Sequence, residues 1–251
     1  MTYTEKLAAR IAATGSNLCV GLDVRATSAD QDTANWILRV IEETAPYAAA
    51  FKPNAAYFEA LGWEGVRLLE TIRRQIPEEI PVILDAKRGD IGETQAYYAK
   101  AAFEVLDADA ITLNPFMGRD TIEPFLQYPD KGIYLLAVTS NKGAADIELQ
   151  STGERQIYQI VADMTAASSQ VGLVVGLTNA SGDVLSQIPD VPLLIPGLGA
   201  QGGDLDSLKG TGRLAPSVIN VSRGILYQDP ERSFAEKAAH WHALIASSLY
   251  S

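Results

Sequence analysis

Short apolar, β-branched runs alternate with longer segments of helical period from one end of the chain to the other. Eight runs read as strands: Asn17–Asp23, Ala48–Asn54, Pro81–Arg88, Ala110–Pro115, Gly132–Ser140, Val171–Leu177, Pro192–Leu198 and Ser217–Ser222. Helical spacing of apolar positions falls between them, over Asp32–Thr44, Trp63–Ile76, Gly92–Leu106 and Arg155–Ala167. A last helix spans about Pro230–Ser248, and an extra one over Tyr3–Ala13 precedes the first strand. Eight strand–helix units in 251 residues match the size and rhythm of an α/β fold of the (β/α)8 TIM-barrel type. No Pro/Ser-rich linker or shift of composition divides the chain, so positions 1–251 read as a single domain.

Composition narrows the function classes. A hydrophobic fraction of 47% with 20% charged residues predicts a sizeable core rather than disorder. With 20 Lys+Arg against 31 Asp+Glu, the net charge of −11 argues against nucleic acid as a partner, since duplex binding needs a cationic surplus. A small anionic ligand is compatible, because a few local cations set the field in one cleft. The single cysteine, Cys19, cannot form an internal disulfide or a Cys-based metal cluster, which suits a reducing cytoplasm. His240 and His242 are the two histidines, both near the C-terminus, which leaves little for multi-His metal sites or His-dependent triads. No apolar run approaches the roughly 18 residues that span a bilayer, so no membrane role is read.

Two segments carry phosphate chemistry. Gly197-Leu198-Gly199-Ala200-Gln201-Gly202 matches the G-x-G-x-x-G dinucleotide pattern, but it follows the seventh strand. The next strand, Val218-Ile219-Asn220-Val221, lacks the acid that would hold a ribose, which counts against a doubly wound sheet. In a barrel the loops after strands seven and eight commonly bind phosphate through backbone N–H groups. The eighth strand ends in Ser222-Arg223-Gly224, where Arg223 offers a planar fork for phosphate oxygens and Gly224 opens the backbone beside it. Two ordinary turns and a surface arginine are the plainer reading of the same residues.

Charges stand where a buried strand end should not carry them. In Val82-Ile83-Leu84-Asp85-Ala86-Lys87-Arg88, residues two apart share a face, so Asp85 and Lys87 point the same way. The first strand ends Gly21-Leu22-Asp23 and the second runs Phe51-Lys52-Pro53-Asn54. Three consecutive strands thus bring Asp23, Lys52, Asp85 and Lys87 to one rim. Such charges must stabilise each other or await a ligand. A structural ion-pair ring would account for the pairing but not for a phosphate loop on the same face.

At this point the residues resemble a known family. Asp85-Ala86-Lys87-Arg88-Gly89-Asp90-Ile91 is similar to the D-x-K-x-x-D-I signature of the orotidine 5′-monophosphate decarboxylases. Matching segments run in barrel order from Gly21 to Gly224, including Asn114-Pro115-Phe116-Met117-Gly118, Val138-Thr139-Ser140-Asn141 and Pro196–Gly203. The resemblance implies a carboxy-lyase that releases CO2 from C6 of orotidine 5′-monophosphate, giving uridine 5′-monophosphate in pyrimidine biosynthesis. It implies no cofactor and no metal, and a homodimer with shared active sites. Lys52, Asp85 and Lys87 would form an alternating charge array, completed by Asp90 of the partner subunit. Lys87 would protonate C6. Asp23 and Lys52 would hold the ribose, with Asp90 and Thr94 contributing across the interface. Ser140 would contact the pyrimidine, while Gln201, Arg223 and the backbone of Gly224 would hold the phosphate.

The physical logic is independent of the resemblance. Decarboxylation without an electron sink leaves a carbanion on an sp² carbon. An ammonium placed where that charge develops stabilises the transition state more than the substrate. One charge at about 4 Å is worth about 4 kcal/mol at an effective dielectric near 20, while enzymes lower barriers by about 8–23 kcal/mol, so one lysine is not enough. Preorganisation and phosphate binding must supply the rest. The loop Asn141–Glu154, with Gly143 and Gly153, reads equally as a lid or as a solvated excursion.

Other features take plain readings: Cys19 as a small core residue, Tyr97 and Tyr98 as packing or dimer contacts, and Asn179-Ala180-Ser181 as an unused sequon. Three alternatives stay open. One is a Mg²⁺-dependent sugar-phosphate decarboxylase or aldolase sharing D-x-K-x-x-D. Another is an aldolase with a Schiff base on Lys87. The third is a nucleotide-binding barrel without catalysis.

Overall fold

The computed structural model describes residues 1–180, 182–196, 205–208 and 211–250. All eight expected strands form, as Leu18–Leu22, Ala50–Pro53, Ile83–Arg88, Ala110–Leu113, Gly132–Val138, Val171–Val175, Leu193–Pro196 and Val218–Val221. They pair in parallel, each with its sequence neighbour, and the eighth returns to the first through Leu18–Ile219, Cys19–Asn220 and Val20–Val221. The second and third strands meet at the bridges Phe51–Val82 and Asn54–Asp85, which complete the ring.

Period-two alternation sorts the side chains of every strand. Leu18, Val20, Leu22, Phe51, Leu84, Ile111, Leu135 and Ile219 face outward and pack with the helices in one cluster. Cys19, Ala50, Ile83, Ala110, Tyr134, Val174, Leu194 and Val218 form a second cluster inside the ring. Two residues further along the strands the inward set turns polar: Lys52 follows Ala50, Asp85 follows Ile83, Thr112 follows Ala110 and Asn220 follows Val218. All four polar residues are buried. The apolar floor therefore lies at the N-terminal ends of the strands and the charged layer above it.

The expected extra helix seals that floor. It spans Tyr3–Thr14, begins at a Thr2/Glu5 capping box and ends at Gly15, whose φ of 68° suits a residue without Cβ. Tyr3 and Leu7 join the inner cluster, and the Tyr3 and Tyr134 hydroxyls share a hydrogen bond of 2.8 Å. A Cβ on Gly132 would lie 2.2 Å from the Tyr3 ring, so the fifth strand must open with glycine. Lys6 pairs with Asp109 at 2.6 Å, and Arg10 donates to the carbonyls of Ala45 and Ala48.

Helix boundaries depart from expectation in several places, and the helix expected over Trp63–Ile76 ends at Arg73. The run Gly92–Leu106 is α-helical over Gly92–Lys100 and then widens to a π-turn over Ala101–Val105. The helix expected from Arg155 begins at Ile157 instead, because Arg155–Gln156 pairs with Ser151–Thr152 in a hairpin. Gly153, at φ 68°, turns that hairpin. The last helix starts at Phe234, where Ser233 and Glu236 exchange capping bonds, and runs to Tyr250. Among the described residues, no helix is long and apolar enough to cross a membrane.

Candidate active site

The charged layer opens into a cavity of about 390 Å³ at the C-terminal ends of the strands, lined by Lys52, Asp85, Lys87, Thr112, Ser140 and Glu148 among others. Larger grooves of about 900 and 760 Å³ flank the N-terminal helix, but none of the array reaches them.

Asp85 stands between the two lysines. Its Oδ2 meets Lys52 Nζ at 2.7 Å and its Oδ1 meets Lys87 Nζ at 2.5 Å. Burial alone would raise the Asp85 carboxyl, but the Lys52 and Lys87 ammoniums override it and hold it well below the usual carboxylate range. Burial would likewise lower Lys52, yet Asp85 and then Asp23 raise it above the ordinary lysine value. Asp85 and Lys52 are therefore both charged near neutrality. Beneath them burial pushes the Cys19 thiol up to about 12, against the opposing field of Lys52, as befits an inert core residue.

Simple pleating does not bring Lys87 to Asp85. Pairing of the third and fourth strands slips between Leu84 and Arg88, and Lys87 takes a φ of 47°, a left-handed conformation rare for lysine. Thr112 holds this bulge. Its hydroxyl accepts from the N–H groups of Ala86 at 3.0 Å and Lys87 at 2.9 Å, and donates to Asp85 Oδ1 at 3.0 Å. Thr112 thus fixes both the backbone of one charged residue and the carboxylate of the other. Sequence reasoning missed it, although its inward register two residues after Ala110 was a usable signal.

The remaining expected site residues divide into those the fold gathers and those it keeps apart. Ser140 lines the cavity, and Gly176 lets strand six approach it, since a Cβ there would lie 2.8 Å from Ser140 N. Asp23 adjoins Lys52 closely enough to raise it electrostatically, and its Oδ1 is buried without a hydrogen-bond partner. Arg223 is exposed at the end of strand eight with no ion pair among the described residues. Gly224 is buried for a reason unrelated to a ligand: a Cβ would fall 2.8 Å from the Trp241 indole nitrogen. Asp90 and Thr94 do not line the cavity; Asp90 Oδ1 accepts from the Ile91 N–H at 2.8 Å, and Thr94 is exposed. Around them Ile91, Tyr97, Phe116 and Met117 are exposed apolar side chains. Gln201 lies outside the described residues, as do positions 197–204 of the glycine-rich segment.

The Asn141–Glu154 loop borders the cavity through Asn141 and Glu148. The Glu148 carboxylate accepts from the Thr139 N–H at 2.7 Å and from its hydroxyl at 2.9 Å. His242 Nε2 donates to the Thr14 carbonyl at 2.8 Å, and His240 stacks edgewise on Trp241, both far from the array in sequence. No group of three or more His, Cys, Asp or Glu that could hold a metal occurs among the described residues. What the cavity offers is fixed positive charge, one half-exposed ammonium and a carboxylate that stays ionised: the means to hold an anion and deliver a proton.

A family model described as orotidine 5'-phosphate decarboxylase / HUMPS family matches residues 16–238. The chain belongs to this family. It is 42% identical over 256 aligned positions to the orotidine 5'-phosphate decarboxylase of Cupriavidus necator, covering 95% of this chain and 94% of that protein. The enzyme of that name from Thermomicrobium roseum is also 42% identical, over 95% of this chain and 91% of the relative. The solved structure of Leishmania donovani OMP decarboxylase superposes with a TM-score of 0.89 at 38% identity and full coverage of both chains. The enzyme class that follows from this kinship is carboxy-lyase, and the barrel is the fold the solved relative shares.

Proposed function

We propose that the chain decarboxylates orotidine 5′-monophosphate to uridine 5′-monophosphate without a cofactor, as a cytoplasmic enzyme of pyrimidine biosynthesis formed by one barrel domain. The observation that carries this reading is the Asp85 carboxylate held at 2.7 and 2.5 Å between two ammonium groups at the mouth of the barrel. Breaking the C6–carboxylate bond leaves its electron pair on C6. Lys87 meets that charge and gives C6 a proton, and the neutral amine regains one from water. Asp85 keeps Lys87 aimed before the reaction. Lys52, with Asp23, holds the ribose hydroxyls. Ser140 contacts the pyrimidine, and Arg223, the Gly224 backbone and Gln201 hold the phosphate, whose binding energy is drawn on in the transition state.

Asp90 and Thr94 act across a homodimer interface. Support comes from their placement outside their own cavity amid exposed Ile91, Tyr97, Phe116 and Met117, an apolar surface suited to a second copy of the chain.

The test follows the absorbance of orotidine 5′-monophosphate with purified protein, with and without EDTA. Turnover that EDTA leaves unchanged is the expected result. Absence of turnover overturns the reading, and turnover abolished by EDTA transfers it to a metal-dependent relative.

A further inference from the structure

One side chain joins the two ends of the proposed nucleotide site. The Tyr227 hydroxyl donates to the Asp23 carbonyl at 3.0 Å and accepts from the Arg25 N–H at 2.6 Å. Both polar capacities of that oxygen are thereby spent on the three residues that follow the first strand. Tyr227 itself ends the short turn of helix Arg223–Leu226, and its own N–H donates to the Arg223 carbonyl at 3.0 Å. The ring is fixed by stacking on Trp36, centroids 6.0 Å apart, and by the Arg25 guanidinium 4.8 Å from its centre. Trp36 in turn packs edge-on against Phe234 of the last helix. A rigid, half-buried tyrosine therefore ties the backbone of Asp23 to the backbone of Arg223, across 204 positions of sequence.

From this geometry we infer that Tyr227 is a positioning residue that couples phosphate binding at Arg223 to the placement of Asp23 against the sugar. The inference rests on the nucleotide reading above. A displacement of the Arg223 turn on meeting a dianion moves Tyr227, and its hydroxyl carries that movement to the Asp23 peptide rather than letting it dissipate in the loop. Remote binding energy reaches the reacting end of a substrate only through such stiff connections, because misplacement by about 1 Å can cost roughly 100-fold in rate. The hydroxyl is the informative atom, since the ring has packing partners that do not depend on it.

Tyr227→Phe keeps the ring and removes the bridge. The expected result is a fall of about 10-fold or more in kcat/KM for orotidine 5′-monophosphate, with less than about 3-fold change for the phosphate-free nucleoside orotidine. Calorimetry with uridine 5′-monophosphate and uridine should show the same split in Kd, and this arm reads the coupling without turnover. Equal losses for phosphorylated and phosphate-free ligands would mean local damage to Asp23 alone and would overturn the inference, as would no loss with either. A wild-type protein that binds uridine 5′-monophosphate and uridine but turns over neither orotidine 5′-monophosphate nor orotidine sinks the decarboxylase reading while leaving the calorimetric split to judge the coupling. Thermal melting of the variant should stay within about 8 °C of wild type, as loss of the two hydrogen bonds made by that oxygen implies at this chain length.

Discussion

Lys52 and Lys87 share one carboxylate but not one environment. The Lys52 side chain is 4% exposed and that of Lys87 47%, so only Lys87 can turn from Asp85 toward a ligand without leaving a buried charge unpaired. The two lysines should accordingly fail differently. Lys87→Ala removes a charge worth about 4 kcal/mol at the reacting carbon, near 10³ in rate, together with a proton donor of about 10²–10⁴. A loss of at least about 10⁵ in kcat, with nucleotide affinity and thermal midpoint little changed, is the expected outcome of steady-state kinetics and melting; near-normal turnover would refute the role. Asp85 makes a separate prediction about pH. Its folded pKa lies below the unfolded value of about 3.9, so the unfolded state binds the proton first as pH falls, and the carboxylate stabilises the fold fully only above that value. The stability advantage of wild type over Asp85→Asn should be constant between about pH 5 and 7 and shrink below about pH 4. Thermal melts at stepped pH measure this, and an advantage that grew toward acid would contradict the ion-pair account.

Among the elements, the N-terminal helix and the fifth strand are the pair whose fit is tightest. Tyr3 occupies the space that a Cβ on Gly132 would need, with 2.2 Å between them. Gly132→Ala should overpack the floor by about 1–3 kcal/mol, roughly 3–10 °C in a chain of this size. Because Tyr134 and the apolar layer separate that floor from Lys52 and Asp85, kcat should fall by less than about 3-fold at 25 °C. A large loss of kcat without loss of stability would show that the floor and the charged layer are not independent. The same separation explains what could be read from sequence. The eight strands were legible because each is an apolar run with a second residue pattern inside it, and the charged strand ends stood out against those runs. Thr112 did not, because a lone threonine in Ala110–Leu113 suits a strand whatever it touches. Lys87 was placed on the correct side by a period-two argument, but the bulge that puts it there depends on the neighbouring strand and leaves no local trace. The Tyr227 bridge joins the segments that follow the first and last strands, far apart in sequence, and is invisible to any local pattern.

At the scale of the whole molecule, the array within one chain is incomplete in the proposed reading. Lys52, Asp85 and Lys87 come from strands of one barrel, whereas Asp90 sits in the loop after the third strand, outside the lining of its own cavity and next to exposed Ile91. If each site borrows Asp90 from the other subunit, the two residues belong to different sites even though they are three positions apart in sequence. Lys87→Ala and Asp90→Asn homodimers would then each lack one element in both sites. In a mixed dimer one site carries both lesions and the other carries neither. Random pairing makes half the dimers mixed, each with one intact site of two, so coexpressed variants should recover roughly a quarter of wild-type activity. A chain that used its own Asp90 would leave every site damaged in every dimer, and mixing would recover nothing. Activity of the coexpressed pair, measured beside each variant alone, therefore decides whether the site belongs to one chain or to two.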